Sequence, residues 1–420
     1  MRIMLAGTGS GCGKTTLSLA LMAALRARGL SVAPFKAGPD YIDPGFHRLA
    51  CGRASHNLDE WLCAPDSVRR ILARGAAGAD IAVIEGAMGF YDGLDGGDAC
   101  SAYALAKHTG TPVVLAVDAS GGAASCAASA LGFLKYRPDH TIAAALVNRA
   151  SGERHFELVR AALEKIGLPC LGWLQKDAGL AMPERHLGLV PAQERPQAAA
   201  QIGRAAGLLR LDVEGLMRVA RAAQAVEAPA LEVPRTFAGL RVGVARDAAF
   251  SFIYEPNLWA LADMGAQIVE FSPLKDAALP ENLGALILPG GFPEAFEAEL
   301  TGNGAMAASV RGAIEGGLRV YAECGGMLYL AMIGALPLRW EMTGGLRRFG
   351  YVTVSDGALS FPAHEFHHSA VEPTAPLETR FEVRKGAATW REGYVYMNTL
   401  AGYPHLHWFD RPALIERILR

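Results

Sequence analysis

Cys324 lies between the apolar run Val320-Tyr321-Ala322 and a glycine pair, Gly325-Gly326, a composition that predicts a sharp turn from strand into helix. A thiol is only a few per cent ionised at neutral pH. One that acts as a nucleophile therefore needs a helix N-terminus, a base, or both. The glycines open a predicted helix, and His405-Leu406-His407 far downstream offers His405 as the base with His407 beside it. Acyl chemistry at such a thiol also needs backbone N–H groups for the developing oxyanion, which glycine-rich turns expose. Gly290 and Gly291, in Leu288-Pro289-Gly290-Gly291-Phe292-Pro293-Glu294, form such a turn at a predicted strand end, and Gly325 adds a third donor. A packing cysteine is the competing reading. It leaves the two glycine pairs and the late histidine unexplained.

A second chemistry stands at the other end of the chain. Gly7-Thr8-Gly9-Ser10-Gly11-Cys12-Gly13-Lys14-Thr15-Thr16 follows an apolar N-terminal run and opens a predicted helix. Helix N-termini expose unpaired N–H groups, and glycines let the preceding loop wrap a phosphate. Thr8, Gly9, Ser10, Gly11, Gly13, Lys14, Thr15 and Thr16 are thus expected to hold ATP, with Lys14 on the β/γ-phosphates and the Thr15 hydroxyl on Mg²⁺. The usual spacing places glycine six residues before the lysine; here that position is Thr8. Glu85 ends the apolar run 81–84, where ligands of α/β sheets gather, and with Asp40 it could complete the metal site. Asp43 and Asp92 fit the same rim, and each also fits a turn former. Asn148, after the apolar run 144–147, could read an adenine edge. Cys12 is expected to be a bystander in the loop.

Those residues need a scaffold. Short, continuously apolar runs at 2–6, 32–35, 81–84, 112–117 and 142–147 predict buried strands. They alternate with helical patterns at 14–28, 65–75, 101–109 and 122–135, which argues an α/β fold with a parallel sheet covered on both faces. An Ala- and Arg-rich helical stretch runs from 194 to 224. Two prolines and weak periodicity mark 225–238 as a linker, and a second α/β pattern begins at 239, with runs at 240–245, 268–271, 285–288 and 320–322. Residues 1–224 and 239–420 are therefore read as two domains.

At 420 residues the chain is too long for one ordinary core. Its 51% hydrophobic and 20% charged residues describe a packed globular protein, and a net charge of −2 gives no field that would recruit nucleic acid or an anionic membrane. Seven cysteines without a CxxC pair fit a reducing compartment rather than a disulfide framework or zinc knuckle. No run approaches the ~20 apolar residues that span a bilayer, and the N-terminal run is too short for a signal peptide, so a cytoplasmic location is expected. His364 and His368 have the spacing of a helical metal pair, but Pro362 and strand-like neighbours favour a polar surface facing substrate.

Taken together, several segments resemble one family. These are the variant phosphate loop, Phe35-Lys36-Ala37-Gly38-Pro39-Asp40-Tyr41-Ile42-Asp43-Pro44-Gly45-Phe46-His47, Asn57-Leu58-Asp59, and Glu85-Gly86-Ala87-Met88-Gly89-Phe90-Tyr91-Asp92-Gly93. Further along come Pro183-Glu184-Arg185-His186-Leu187-Gly188-Leu189, Ala245-Arg246-Asp247-Ala248-Ala249-Phe250, the Gly290-Gly291 turn, Glu323-Cys324-Gly325-Gly326, His364-Glu365-Phe366-His367 and His405-Leu406-His407. In this order they resemble the cobyrinic acid and hydrogenobyrinic acid a,c-diamide synthases across essentially the whole chain. The resemblance implies a dethiobiotin-synthetase-like P-loop domain that makes amides at the expense of ATP and Mg²⁺, followed by a class I glutamine amidotransferase domain.

The implied substrates are a corrinoid acid, L-glutamine and ATP, with a homodimer possible. Asp40, Tyr41, Ile42, Asp43 and Asp92 would line the corrinoid site, and Cys324, His405 and His407 would carry the amidotransferase chemistry. That class ordinarily has His-x-Glu. Here His407 stands at the glutamate position, which leaves open what orients His405. The segment 188–194 and the Ala/Arg-rich composition lean toward the metal-free hydrogenobyrinic acid. Cobyric acid synthase and nickel-sirohydrochlorin a,c-diamide synthase are near alternatives. A partition-type ATPase switch with an inert amidotransferase-like domain is a distant one, disfavoured because such switches place a further lysine early in the loop, where this chain has Ser10.

Overall fold

A computed structural model describes residues 1–185 and 188–419, with the backbone alone described at 184, 185, 188 and 189. The His186-Leu187 part of the segment at 183–189 thus lies outside the described residues. The chain divides into two compact units, Met1–Pro229 and Ala230–Arg420, the division falling within the stretch expected as a linker.

In the first unit the apolar runs become strands because each is short and sealed on both faces. Arg2–Gly7, Val32–Ala37 and Ile81–Glu85 are buried at every residue. The sheet order is Leu209–Leu211, Cys170–Gln175, Ile142–Ala150, Val113–Asp118, Arg2–Gly7, Ile81–Glu85, Val32–Ala37, His56–Leu58. Every pairing is parallel except that of the edge strand Leu209–Leu211. Parallel register carries Gly7, Asp118 and Asn148 to one end of the sheet, with Glu85 and Lys36 paired across the neighbouring strands there. The helix Lys14–Arg26 buries Leu17, Leu19, Leu21, Met22 and Leu25 against the sheet and its neighbouring helices. Each such side chain contributes about 1.5–3 kcal/mol relative to exposure.

The helical stretch expected at 194–224 comprises two helices, Ala198–Leu208 and Val213–Arg221, separated by that antiparallel edge strand. Asp212 is the cause of the restart, since its carboxylate accepts from the Gly215 N–H at 2.9 Å and caps the second helix.

The second unit holds a ten-stranded sheet. Gln267–Phe271, Arg241–Ala245, Ala285–Leu288, Arg319–Glu323 and Thr399–Gly402 form its parallel half. Ala388–Tyr396, Glu378–Lys385, Arg348–Ser355, Ser360–His367 and His405–Leu406 extend it antiparallel. Sequence periodicity at 338–396 did not announce this extension. Its strands alternate buried and exposed residues only partly, as in Arg348–Ser355. The core of this unit gathers Leu286, Leu288, Val310, Val320, Met327, Tyr329 and Leu330 around the helix Gly325–Met332.

Candidate active sites

The phosphate loop closes through glycine geometry. Gly13 has φ 81° and its Cα faces Asn148, whose Nδ2 would lie 2.2 Å from an added Cβ. No other residue fits there. Ser10 and Gly11 are exposed at the crest of the loop, and Thr8 and Gly9 are half-buried. Lys14 folds back over the loop and donates from Nζ to the Gly9 carbonyl at 2.9 Å. Burial lowers its pKa, offset by the Cys12 thiol and the nearby carboxylates. Thr16 turns into a small crevice with Phe46 and Leu180.

Beside the loop lies a buried charged cluster. The Thr15 hydroxyl donates to Glu85 Oε1 at 2.7 Å and lies 3.5 Å from Asp43 Oδ2. Lys36 Nζ reaches Asp43 Oδ2 at 2.7 Å and Glu85 Oε1 at 2.9 Å, while His47 Nε2 lies 2.9 Å from Glu85 Oε2. Burial opposes the Glu85 charge, yet Lys36 and His47 hold its carboxyl well below the usual range. Asp43 takes the opposite course: burial and the charge of Asp40 push it well above. This local surplus of carboxyls, Asp40, Asp43 and Glu85, drives one of them toward its neutral form. This surplus, together with the converging oxygens of Thr15, Asp43 and Glu85, suits a hard divalent cation.

The remaining expected residues have defined places. Asp40 Oδ1 accepts from the N–H of Ile42 at 2.7 Å and of Asp43 at 3.4 Å, capping the helix Ile42–Cys51; Tyr41 is half-buried and Ile42 buried at that helix start. Of the acidic residues expected here, it is Asp43 and Glu85 that approach Thr15. Asp92 Oδ2 accepts from the Gly89 N–H at 2.9 Å and closes a turn. The Asn148 amide donates to the Cys12 carbonyl at 2.9 Å, so it braces the loop from below. Lys36 and His47 were not singled out from sequence. The available signal was a lysine at the carboxyl end of a buried strand, where solvation alone gives no reason for a charge.

In the second unit Cys324 occupies φ 45°, ψ −105°, a region that non-glycine residues adopt only when the surroundings enforce it. Its N–H is anchored to the Gly402 carbonyl at 2.7 Å. The helix start then packs so closely on the neighbouring strand that a Cβ on Gly326 would lie 2.1 Å from the Leu288 carbonyl. Burial and the charge of Glu294 push the thiol upward, while the Gly325 N–H acts against them. A thiol raised in this way needs a base to remove its proton before it can act as a nucleophile.

His405 is 1% exposed and pairs across the sheet with His364. Its ring rests on Gly290: an added Cβ there would lie 2.5 Å from His405 Cε1. Gly325 in turn packs on Gly291, where its own Cβ would meet the Gly291 nitrogen at 2.9 Å. The glycine turn thus seats the imidazole on one residue and the nucleophile's helix on the next. His407 packs on the Tyr254 ring at 5.1 Å, and burial lowers its pKa to about 3. The carboxylate beside His405 is Glu323, with Oε2 at 3.3 Å from Nδ1. Glu323 was quoted from sequence only as part of a motif; its role depends on a strand pairing that spacing does not reveal.

His364 lies in the strand Ser360–His367 and His368 just beyond its end, so the helical spacing considered for that pair does not arise. His367 stacks on Tyr403 at 3.6 Å and donates from Nδ1 to the Ser369 carbonyl at 2.8 Å. Among the described residues no group of three or more His, Cys, Asp or Glu is arranged to hold a metal. No described helix is long and apolar enough to cross a membrane.

Two domain families match the chain. Residues 3–190 match the CobQ/CobB/MinD/ParA nucleotide binding domain, and residues 241–413 the CobB/CobQ-like glutamine amidotransferase domain. The chain is 38% identical to a cobyrinate a,c-diamide synthase of Listeria innocua, covering 99% of this chain and 98% of the relative. It is 39% identical to a hydrogenobyrinate a,c-diamide synthase of Streptomyces coelicolor, covering 100% and 96%. Against the cobyrinate a,c-diamide synthase of Salmonella typhimurium it is 39% identical, covering 99% and 97%.

Proposed function

The chain belongs to the cobyrinate and hydrogenobyrinate a,c-diamide synthase family, and from that premise we propose how its two sites divide the reaction. It is an ATP- and glutamine-dependent ligase that amidates the a and c carboxylates of a corrinoid acid. The observation that carries the division is the pairing, in one chain, of a phosphate loop beside buried carboxylates with a strained cysteine whose helix packs on the same glycine turn that seats a buried histidine.

In the second unit His405 takes the Cys324 proton as sulfur attacks the side-chain amide of glutamine. The N–H groups of Gly290, Gly291 and Gly325 are suited to receive the oxyanion. Collapse expels ammonia, which receives the proton from His405, and water hydrolyses the thioester to glutamate. In the first unit ATP lies on residues 7–16. A corrinoid carboxylate attacks the γ-phosphorus, ADP leaves, and ammonia displaces phosphate from the acyl phosphate. Activation is required because hydroxide is too poor a leaving group. Lys14 and Lys36 stabilise charge on the transferring phosphoryl. Mg²⁺ held by Thr15, Glu85 and Asp43 would spread the negative charge of the phosphates. Asp40, by fixing the start of the helix that carries Asp43, keeps that carboxylate in place.

The macrocycle is identified by mass. Hydrogenobyrinic acid, cobyrinic acid and nickel-sirohydrochlorin are each offered with ATP, Mg²⁺ and glutamine. Two amides on either corrin acid support the reading and name the substrate. Conversion of nickel-sirohydrochlorin alone overturns it.

A further inference from the structure

The arrangement around His405 replaces the missing third member of a nucleophile–base–carboxylate set, and we propose that Glu323, the residue immediately before the nucleophile, is the positioning carboxylate of this site. The inference rests on the glutamine chemistry proposed above and deepens it. Glu323 closes the strand Arg319–Glu323 and is 6% exposed. Its two oxygens do different work. Oε1 accepts from the Tyr321 hydroxyl at 2.8 Å and from the Leu406 N–H at 3.0 Å. Burial and the Glu323 charge both push the Tyr321 phenol well above its ordinary range, so it remains an O–H donor. With Oε1 fixed by two donors, Oε2 is turned to His405 Nδ1 at 3.3 Å.

Two consequences follow. Nδ1 carries the ring proton, which leaves the Nε2 lone pair as the base. The Leu406 contact also ties the histidine's own strand to the strand that delivers the cysteine, so nucleophile and base share one rigid support. His407 packs on the Tyr254 ring. During the reaction Nε2 takes the Sγ proton as the S–C bond forms. It returns that proton to nitrogen as the C–N bond breaks. Glu323 keeps facing Nδ1–H throughout, favouring the transient imidazolium.

The test is Glu323→Gln, read against a purely structural role. A glutamine carbonyl can still accept from Tyr321 and Leu406, so the cross-link survives, but its NH₂ then faces Nδ1 and favours the wrong tautomer. Glutamate release from glutamine is expected to fall by at least ~10²-fold in kcat with KM changed less than about threefold, while synthesis from added ammonium is retained. Release within about threefold of the parent overturns the proposal. Because the variant could fail to fold, the native protein supplies a second reading. Long-range ¹⁵N–¹H correlation of labelled histidines is expected to show His405 with its proton on Nδ1; a proton on Nε2 of the neutral ring overturns the assignment. Failure of the parent to hydrolyse glutamine would instead strike the functional reading, and the tautomer would still report on Glu323.

Discussion

Lys36 Nζ lies 2.9 Å from Glu85 Oε1 where the lysine is 5% exposed and the glutamate is fully buried. Taking away one member of such a pair leaves the other charge uncompensated, at a cost of about 3–5 kcal/mol. Lys36→Met is therefore expected to lower the stability of the first unit. It should also cut amide synthesis by at least ~10²-fold with either glutamine or ammonium as nitrogen source. Glutamine hydrolysis should persist. Steady-state rates with both nitrogen donors check this, and ammonium-dependent synthesis within about threefold of the parent would remove Lys36 from the mechanism.

Cys324→Ala separates the half-reactions. The alanine keeps a Cβ at the strained turn but has no nucleophile, so glutamine-dependent synthesis should vanish while added ammonium restores product. A variant that ammonium cannot rescue would mean that the thiol serves more than nitrogen release.

What was legible in the sequence was the chemistry written in consecutive residues. Gly13-Lys14-Thr15 and Cys324-Gly325-Gly326 act through backbone geometry that their own spacing dictates, and the apolar runs of 2–6 and 81–84 could only be buried strands. What escaped was chemistry made by strand pairing. Lys36 faces Glu85 because Val32–Ala37 runs parallel beside Ile81–Glu85, and Glu323 meets Leu406 only after the chain has returned from a long antiparallel excursion. Asn148, whose place near a strand end suggested an adenine contact, also donates to the Cys12 carbonyl, a loop contact that spacing does not reveal.

Gly290 has a steric duty besides any oxyanion contact. In Gly290→Ala the new Cβ would sit 2.5 Å from His405 Cε1 and 3.3 Å from Phe252 Cβ, so the imidazole must yield by roughly 1 Å to regain van der Waals distance. A displacement of that size typically costs ~10² in rate. Glutamine hydrolysis should drop accordingly, with ammonium-dependent synthesis preserved. Comparing the two rates in one preparation checks the expectation; a parental hydrolysis rate would show that the ring has room to spare.

Glu365 gives the second unit a pH dependence whose sign can be worked out. Burial and the charge of Glu392 push its carboxyl up to about 8, and neither oxygen has a hydrogen-bond partner, Arg348 Nε standing 3.9 Å away. The folded pKa thus exceeds the unfolded value of 4.5, so the folded state holds a proton that the unfolded state releases. The resulting stability is fully present below pH 4.5 and is lost as pH rises through about 8. The full loss is on the order of 5 kcal/mol. Glu365→Gln keeps the shape without the ionisation. Its stability relative to the parent should therefore grow between pH 5 and 9, roughly in step with that loss. Denaturant midpoints for both proteins across that range measure the gap. The Glu365 charge also opposes a thiolate at Cys324, so glutamine hydrolysis by the variant should hold up better on the alkaline side. A stability gap that stays flat with pH would show that Glu365 is ionised throughout and that Arg348 compensates it after all.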